Sequence, residues 1–238
     1  MRKVGIIGGT GVDETIFSEK FKLAKVSTKY GKVIVREGVV AGKTVFYLNR
    51  HGRHYCAPHQ INYRANVMAL KQKGVDCILA TASVGSMNKA LKPGDIILLA
   101  DFIDFTQGRP QFFNVNLFTD ISYPYDQKLT KLILKTAAWQ KIKIQSGAVY
   151  VCTQGPRFES KAEIKMYRKL GADVVGMTQV PEVVLAAEAE LPYAVIGLVT
   201  NPAAGVTGEK VTCAEVVRIM KENDKKLKTL FQTLIRTL

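Results

Sequence analysis

The 238-residue sequence has only four cysteines and no apolar run long enough for a membrane helix. The cysteines, at positions 56, 77, 152 and 213, include no CxxC pair, which is typical of reduced thiols, so we expect a cytoplasmic protein. The longest apolar stretches, such as IILLA at 96–100, fall far short of the ~18 residues of a membrane span. The apolar part of MRKVGIIGGTG is also too short for a secretory leader. No membrane partner is therefore expected.

Acidic residues are scarce relative to basic ones. There are 20 Asp and Glu against 34 Lys and Arg, a formal net charge of +14. Such an excess can serve nucleic acid, an acidic membrane or a small anionic substrate. Much of the basic excess is expected on solvated helix faces such as 221–228, and no single block interleaves basic residues with aromatics. We therefore expect no nucleic-acid partner, and solubility and anion steering account for the charge.

The usual nucleotide-binding motifs are incomplete. The segment IIGGTG follows a first apolar strand, but Glu14 stands where a dinucleotide motif needs its third glycine. No Gly-Lys-Ser/Thr follows, which excludes a Walker A loop, and no Tyr-x-x-x-Lys pair is present. Backbone N–H groups of the glycine turn, with the Thr10 hydroxyl, can still cradle a small phosphate. The alternative is a plain tight turn.

Apolar runs alternating with helical patterns predict the fold. The runs at 76–82 and 96–103 are continuous, which predicts strands buried on both faces of a sheet. We expect an α/β domain over 1–238, with a central mixed sheet flanked by helices. Other strands are predicted at 3–7, 33–37, 44–48, 147–152 and 193–199, helices at about 62–73, 126–138, 160–169, 181–190 and 212–236, and an irregular excursion at 107–124.

The segment RHGRHYCAPH, residues 50–59, is the densest chemical signal. All three histidines of the chain lie there, a density that raises the possibility of a metal site. However, Arg50, Arg53 and Arg64 lie among them, and guanidinium groups repel a divalent cation and bind oxyanions. An anion site is the preferred interpretation, a structural loop the next, and no metal is expected.

Small hydroxyl residues follow several predicted strands. Thr10, Ser83 and Thr178 each come at a carboxyl strand end, where α/β proteins bind ligands. With Arg50 and His51 they could form a phosphate pocket that needs no metal.

Two further segments indicate a flat heterocycle. In TQGPRFES, at 153–160, Phe158 offers an aromatic face and Glu159 a carboxylate, although Glu159 could simply stabilise a helix start. In LVTNPAAG, at 198–205, Pro202 ends the predicted strand, and Asn201 is either part of a turn or a ligand-facing amide. A heterocycle beside a phosphate suggests a nucleoside reaction.

The chain as a whole resembles the trimeric purine nucleoside phosphorylase and methylthioadenosine phosphorylase family. The resemblance rests on IIGGTG, RHGRHYCAPHQINYRAN, PGD, FIDFT, QGPRFES, GADVVGMTQVPEVVLAAEAELPYA and the TN at 200–201, which occur in the family's order. It implies a homotrimer and phosphorolysis of a purine nucleoside, with phosphate as co-substrate and no other cofactor. By motif, it implies phosphate binding by Thr10, Arg50, His51, Ala82, Ser83 and Thr178, substrate binding by Phe158, Glu159, Met177, Asn201, Pro202 and Ala203, and catalysis by Asn201 and His51.

The departure from the family at 201–203 bears on specificity. Methylthioadenosine phosphorylases carry Asp-x-Asp where this chain has Asn201-Pro202-Ala203. An amide can donate to O6 and N7 of a 6-oxopurine, and Glu159 can accept from its N1–H. With TQGPR and PHQINYRAN, this run is similar to S-methyl-5′-thioinosine phosphorylases. Cys213 is a candidate for the 5′ pocket. Inosine or guanosine phosphorolysis, methylthioadenosine phosphorolysis and a non-enzymatic nucleic-acid-binding protein are the alternatives.

Overall fold

The computed structural model describes residues 3–9, 21–52, 56–110, 113 and 118–238. Thr10, Arg53 and His54 lie outside the described residues. Nine strands form one sheet. The strands are β1 Lys3–Gly8, β2 Lys22–Thr28, β3 Gly31–Val40, β4 Lys43–Asn49, β5 Cys77–Ser86, β6 Ile96–Phe105, β7 Ile144–Thr153, β8 Val174–Gly176 and β9 Tyr193–Pro202.

Helices cover the sheet. They are α1 Tyr63–Gln72, α2 Gln127–Trp139, α3 Lys161–Lys169, α4 Glu182–Glu188 and α5 Cys213–Thr237. A short 3-10 helix, Pro58–Gln60, precedes α1. Buried side chains of α1 and α4 share one apolar cluster with the sheet, those of α2 and α5 share a second, and those of α3 pack in a third. This arrangement confirms the α/β class with a central mixed sheet flanked by helices.

Part of the sheet closes into a ring. The strand order is β2-β3-β4-β1-β5-β8-β7-β6-β9, and β9 also pairs with β5. β5, β8, β7, β6 and β9 therefore form a closed barrel, from which β1, β4, β3 and β2 extend as an open arm. Closure removes the free edges of these five strands and explains why β5 and β9 are buried along nearly their whole length.

Most predicted elements are confirmed within a few residues. The hairpin forms at Ala41 and Gly42, both of which have positive φ, as tight hairpin turns require. The described parts of 107–124 contain no helix or strand. One strand, β2, was not predicted, because Val26 is its one buried residue and the rest of the segment is polar or exposed.

The prediction that Pro202 ends the strand is confirmed. β9 continues through Asn201 and ends at Pro202, which lies opposite Ser86 of β5. On its other side, β9 pairs with β6 only at residues 196–198. Proline is tolerated at such a position because no second ladder requires its missing N–H.

Among the described residues, no helix is both long and apolar enough to cross a membrane.

Candidate functional site

The strands that carry the candidate residues at their ends run in two opposite directions. β1, β4, β5 and β9 run one way, whereas β8, β7 and β6 run the other. β8 is only three residues long, and Val175 lies opposite Gly85 near the carboxyl end of β5. As the chain continues towards Thr178, it therefore runs from the carboxyl end of β5 back towards the middle of that strand.

Gly9 marks the close approach of two strands to a buried arginine. Its N–H donates to Thr81 Oγ1 at 2.8 Å. Arg50 Nη1 donates to the Thr81 carbonyl at 2.9 Å. A Cβ on Gly9 would lie only 2.8 Å from Arg50 Nη1, so a larger residue would displace the guanidinium.

Arg50 is held by a buried carboxylate on α4. Its Nε and Nη2 donate to Oε2 and Oε1 of Glu182, both at 2.7 Å, and the side chains are 1% and 0% exposed. Tyr193 Oη adds a third contact, 2.7 Å from Oε1. Burial opposes the charged guanidinium, but Glu182 outweighs it and raises the pKa of Arg50 above its ordinary value. Glu182 and Thr81 thus use three of the five N–H groups of Arg50, and its contact with phosphate remains a prediction.

His51 adopts a defined tautomer. Its Nδ1 lies 2.9 Å from the Cys56 carbonyl, which can only accept, so Nδ1 carries the proton. Burial, together with the charge of Arg50, lowers the pKa of His51, although the contact with Cys56 opposes this. The neutral ring therefore has Nε2 as its deprotonated nitrogen.

A basic cavity of about 630 Å³ adjoins these residues. Asn66 donates to the Arg50 carbonyl at 3.2 Å and ties α1 to this wall. Several of the lining residues carry cationic or amide side chains, which is an environment that attracts an anion. The polar and charged residues that line it include Lys32, Arg36, Asn49, Arg50, His51 and Asn66.

The other candidate phosphate residues lie on β5 and after β8. Ala82 is buried and Ser83 half-buried within β5. The half-buried Thr178 donates its backbone N–H to Tyr150 Oη at 3.2 Å. Met177, which precedes it, has a backbone carbonyl that accepts from Arg109 at 2.8 Å.

A bulge in β9 orients Asn201. Val84 lies opposite Val199 and Gly85 opposite Asn201, so Thr200 is the extra residue. Bulges of this kind re-aim side chains next to functional sites. The Asn201 side chain accepts from Thr200 Oγ1 at 2.8 Å and donates from Nδ2 to the Pro202 carbonyl at 2.9 Å.

Close packing surrounds the Asn201 amide. A Cβ on Gly85 would lie 3.3 Å from Asn201 Nδ2 and 3.2 Å from a methyl of Val175. The next residue but one, Ala203, is buried, and its N–H donates to the Ser86 carbonyl at 2.7 Å. The methyl group of Ala203 adds no polar group at this buried position.

Glu159 lies at the other candidate base-binding segment. Its Oε1 accepts from Thr153 Oγ1 at 2.7 Å. Burial raises the pKa of Glu159 above its ordinary value, and the Thr153 hydrogen bond counteracts part of this effect. Phe158 is 36% exposed, so one face of its ring can still be covered by a ligand. Thr153 and Glu159 line a second cavity, of about 360 Å³.

Two connections join the candidate base-binding residues. Thr153 Oγ1 lies 3.4 Å from the Gly176 carbonyl at the end of β8. Val175, the preceding residue of β8, contacts Gly85 beside Asn201. Glu159 and Asn201 are thus linked through the short strand between β7 and β5. The structure places Cys213 on the exposed first turn of α5, and no described contact joins it to either residue.

Sequence reasoning did not identify Arg109 as part of this region. Its buried guanidinium donates from Nη1 to the carbonyls of Met177 and Val180, at 2.8 and 2.6 Å. Nη2 donates to the carbonyls of Thr153 and Gln154, at 3.3 and 2.8 Å. Because its acceptors are main-chain atoms from distant segments, no sequence motif could have indicated this role.

Comparison with known proteins identifies relatives over the whole chain. The sequence pattern described as "Phosphorylase superfamily" matches residues 3–236. A 6-oxopurine nucleoside phosphorylase of Pyrococcus furiosus is 43% identical over 95% of this chain and 89% of its own length. A protein of Methanopyrus kandleri named as a probable S-methyl-5′-thioinosine phosphorylase is 44% identical, over 99% and 92%. The structure of methylthioadenosine phosphorylase from Schistosoma mansoni with adenine matches with a TM-score of 0.94 at 30% identity, over 100% of this chain and 92% of that one.

Proposed function

The chain belongs to the phosphorylase superfamily and has purine nucleoside phosphorylases among its relatives, and from this we propose that it catalyses phosphorolysis of a 6-oxopurine nucleoside. S-methyl-5′-thioinosine is the preferred substrate in this proposal, and the products are hypoxanthine and 5-methylthioribose 1-phosphate. Relatives named for 6-oxopurine nucleosides and for methylthioinosine, each more than 40% identical, support it. The predicted family and enzyme class are confirmed by the same comparisons.

The observation that carries the proposal is the chemistry at Asn201 and Glu159. A 6-oxopurine presents an acceptor at O6 and a donor at N1–H, whereas adenine presents a donor at its 6-amino group. Asn201 offers an amide NH2 group, and Glu159 a carboxylate for N1–H. Ala203 provides no acceptor for an exocyclic amine. A mismatched base would leave buried polar groups unpaired, at a cost of about 1–3 kcal/mol each.

Phosphate binding is assigned to the opposite part of the site. The basic cavity beside Arg50 and His51 favours an anion. Nε2 of the neutral His51 can accept from the hydroxyl of a monoprotonated phosphate. Ser83, Thr178 and Thr10 are proposed to add hydroxyl donors and Ala82 a main-chain N–H, although Ala82, Ser83 and Thr178 are not among the residues that line this cavity. In the proposal, these groups hold phosphate without a metal or another cofactor.

The reaction follows from these two binding regions. Breaking the bond between C1′ and N9 leaves an oxocarbenium-like sugar, with the Met177 side chain proposed to lie against it. Bound phosphate stabilises this cation and then forms the new bond at C1′. The departing purine takes the bonding electron pair, and Asn201 stabilises the resulting negative charge by donating towards N7. Phe158 is proposed to cover the base, and Pro202 to border it.

Two alternatives have the same fold. Inosine differs from methylthioinosine only in the 5′ substituent, for which Cys213 is the proposed lining residue, and guanosine carries a 2-amino group as well. Methylthioadenosine phosphorolysis is favoured by the likeness to the Schistosoma mansoni structure. Ala203 argues against methylthioadenosine as the substrate, because it provides no carboxylate for the 6-amino group.

One assay tests the proposal. Purified protein is incubated with methylthioinosine, inosine, guanosine or methylthioadenosine, with and without phosphate, and release of the free base is followed. We expect phosphate-dependent release, fastest from methylthioinosine. No release from any of these substrates would overturn the enzyme proposal, and a clear preference for methylthioadenosine would overturn the assignment of Asn201.

The Asn201→Asp variant tests the base assignment separately. A carboxylate accepts from a 6-amino group and repels O6, so we expect selectivity to shift towards methylthioadenosine. Unchanged selectivity between the two methylthio nucleosides would contradict a base-facing role for Asn201.

We also propose that the protein is a cytoplasmic homotrimer. Light scattering should then give three times the 26.3 kDa chain mass.

A further inference from the structure

The Thr153 hydroxyl, at the carboxyl end of β7, occupies a defined position against Glu159. Thr153 is 7% exposed, and its Oγ1 donates to Glu159 Oε1 at 2.7 Å. The five residues between them form the turn that leads into α3. The bond therefore joins the rigid end of a barrel strand to a carboxylate on a loop.

Arg157, two residues before Glu159, does not replace Thr153 as the partner of the Glu159 carboxylate. Arg157 Nη1 and Nη2 donate to the two oxygens of Glu163, at 2.9 and 2.7 Å. The Arg157 guanidinium thus bonds Glu163, whereas the Glu159 carboxylate accepts from the Thr153 hydroxyl. The charged and titratable groups that act on Glu159 are Glu163 and Arg157, with Tyr167 of α3 nearby.

We propose that Thr153 is the positioning residue that orients Glu159 for recognition of the base and keeps its carboxylate ionised. The inference rests on the proposed function, because it requires Glu159 to accept N1–H of a 6-oxopurine. With Oε1 held by Thr153, the carboxylate is fixed in one rotamer. Thr153 thus determines which atom faces the base.

Thr153 also acts on the charge of Glu159. A hydroxyl that donates to a carboxylate stabilises the ionised form. The ionised Glu159 carboxylate can only accept hydrogen bonds, which suits N1–H of a 6-oxopurine. A protonated Glu159 carboxyl carries an O–H that can donate to N1 of adenine. Loss of the hydroxyl should therefore weaken recognition of 6-oxopurines, and most strongly at acidic pH.

The test compares Thr153→Val, which keeps the shape and removes the hydroxyl, with Thr153→Ser, which keeps the hydroxyl. The matched control is Thr233→Val on α5, since Thr233 is also 7% exposed and its hydroxyl accepts from Gln140 Nε2 at 3.0 Å. Each variant is assayed from pH 5 to 8 with methylthioinosine, with inosine and with purine riboside, which lacks both O6 and N1–H. Thermal unfolding is recorded for all variants.

For Thr153→Val we expect kcat/KM with the two 6-oxopurine nucleosides to fall about tenfold at neutral pH, as for a hydrogen bond to a charged group. The acidic limb of the pH profile should move to higher pH, because the pKa of Glu159 rises. KM for phosphate and the rate with purine riboside should stay within about twofold of the wild type. Thr153→Ser and Thr233→Val should retain the wild-type pH profile.

A pH profile of Thr153→Val that superimposes on the wild type would overturn the inference. So would an equal loss with purine riboside, since that indicates a general effect on the fold. If wild-type protein releases base from no 6-oxopurine nucleoside, the proposed function itself fails. If the wild type is active and Glu159→Gln has the same pH profile as the wild type, ionisation of Glu159 does not determine that profile, and the roles given to Thr153 and to the Glu159 charge fail while phosphorolysis itself stands.

Discussion

Thr200 Oγ1 donates to Asn201 Oδ1 at 2.8 Å, and this contact between neighbouring residues sets the direction of the Asn201 amide. Neighbouring side chains of a regular strand point to opposite faces and could not make this contact. The β-bulge, in which Thr200 is the extra residue of β9, brings the two side chains together. With its oxygen occupied by a donor and one N–H of Nδ2 bonded to the Pro202 carbonyl, Asn201 can offer the second N–H of Nδ2 to a ligand. The bulge thus fixes the orientation of the Asn201 amide, so that its nitrogen rather than its oxygen can bond a ligand.

Replacing Thr200 by Val should narrow the selectivity between bases. Without the hydroxyl, the amide can turn over and present Oδ1, which suits a 6-amino group better than O6. We expect kcat/KM for methylthioinosine to fall about tenfold, equivalent to ~1.4 kcal/mol, and that for methylthioadenosine to fall less. Thr200→Ser keeps the donor and should remain near the wild type. Equal losses with both nucleosides would show that Thr200 does not direct the amide.

The fold was largely predictable from sequence because buried strands and amphipathic helices carry local patterns. The continuous apolar runs of β5 and β9 reported their burial on both sides. The strand β2 carries no such pattern, since Val26 is its one buried residue. The closure of the barrel through the pairing of β5 with β9 also has no local signature, because those residues lie more than a hundred positions apart.

Sequence reasoning proposed residues that would face a ligand, which stay predictions, and it did not identify the residues that support them. Asn201 and Glu159 stood out because polar side chains follow apolar strands. Glu182 was seen only as part of a helix start, whereas in the structure it pairs with Arg50 across 132 positions. Support of this kind depends on long-range packing, which composition and spacing do not encode.

Glu182→Gln should be strongly destabilising, because it leaves the buried charge of Arg50 without a counter-ion. Breaking one partner of a buried ion pair costs about 3–5 kcal/mol, and we expect the free energy of unfolding in urea to fall by this amount. The double variant Arg50→Met with Glu182→Leu removes both charges. It should recover most of the stability, and phosphorolysis should be lost because the proposed phosphate ligand Arg50 is gone. A double variant as unstable as Glu182→Gln would contradict the ion-pair explanation.

Arg109→Met should impair both stability and activity, because four main-chain carbonyls lose their donor. The segments after β7 and after β8, which carry Glu159 and Met177, are both tied to this guanidinium. We expect the free energy of unfolding to fall by about 2–4 kcal/mol and kcat/KM to fall more than tenfold. Arg109→Lys should recover part of each, since an ammonium has three donors but no planar fork. Arg218→Met, at an exposed arginine on α5, is the control, and equal effects at the two positions would refute the role of Arg109.

Glu163→Gln should destabilise the protein in a pH-dependent way. The Glu163 carboxylate accepts from Arg157 and from the backbone N–H of Ser160 at the start of α3. These contacts lower the pKa of Glu163 to about 2 from its ordinary 4.5. A depressed carboxyl pKa contributes stability that is fully present above the ordinary pKa and is lost as pH falls towards the folded-state value. Because the group is partly solvated, we expect a difference of only about 0.5–1 kcal/mol at pH 7.

The difference between the wild type and Glu163→Gln should shrink as pH falls from 4.5 towards 2, which urea denaturation at pH 7, 5, 4 and 3 will measure. Glu222→Gln is the matched control, since Glu222 pairs with Arg218 on an exposed face of α5. Such pairs contribute about 0.3–0.5 kcal/mol, so its effect should be smaller at every pH. A difference for Glu163→Gln that stays constant down to pH 3 would contradict a stabilising role of the ionised carboxylate.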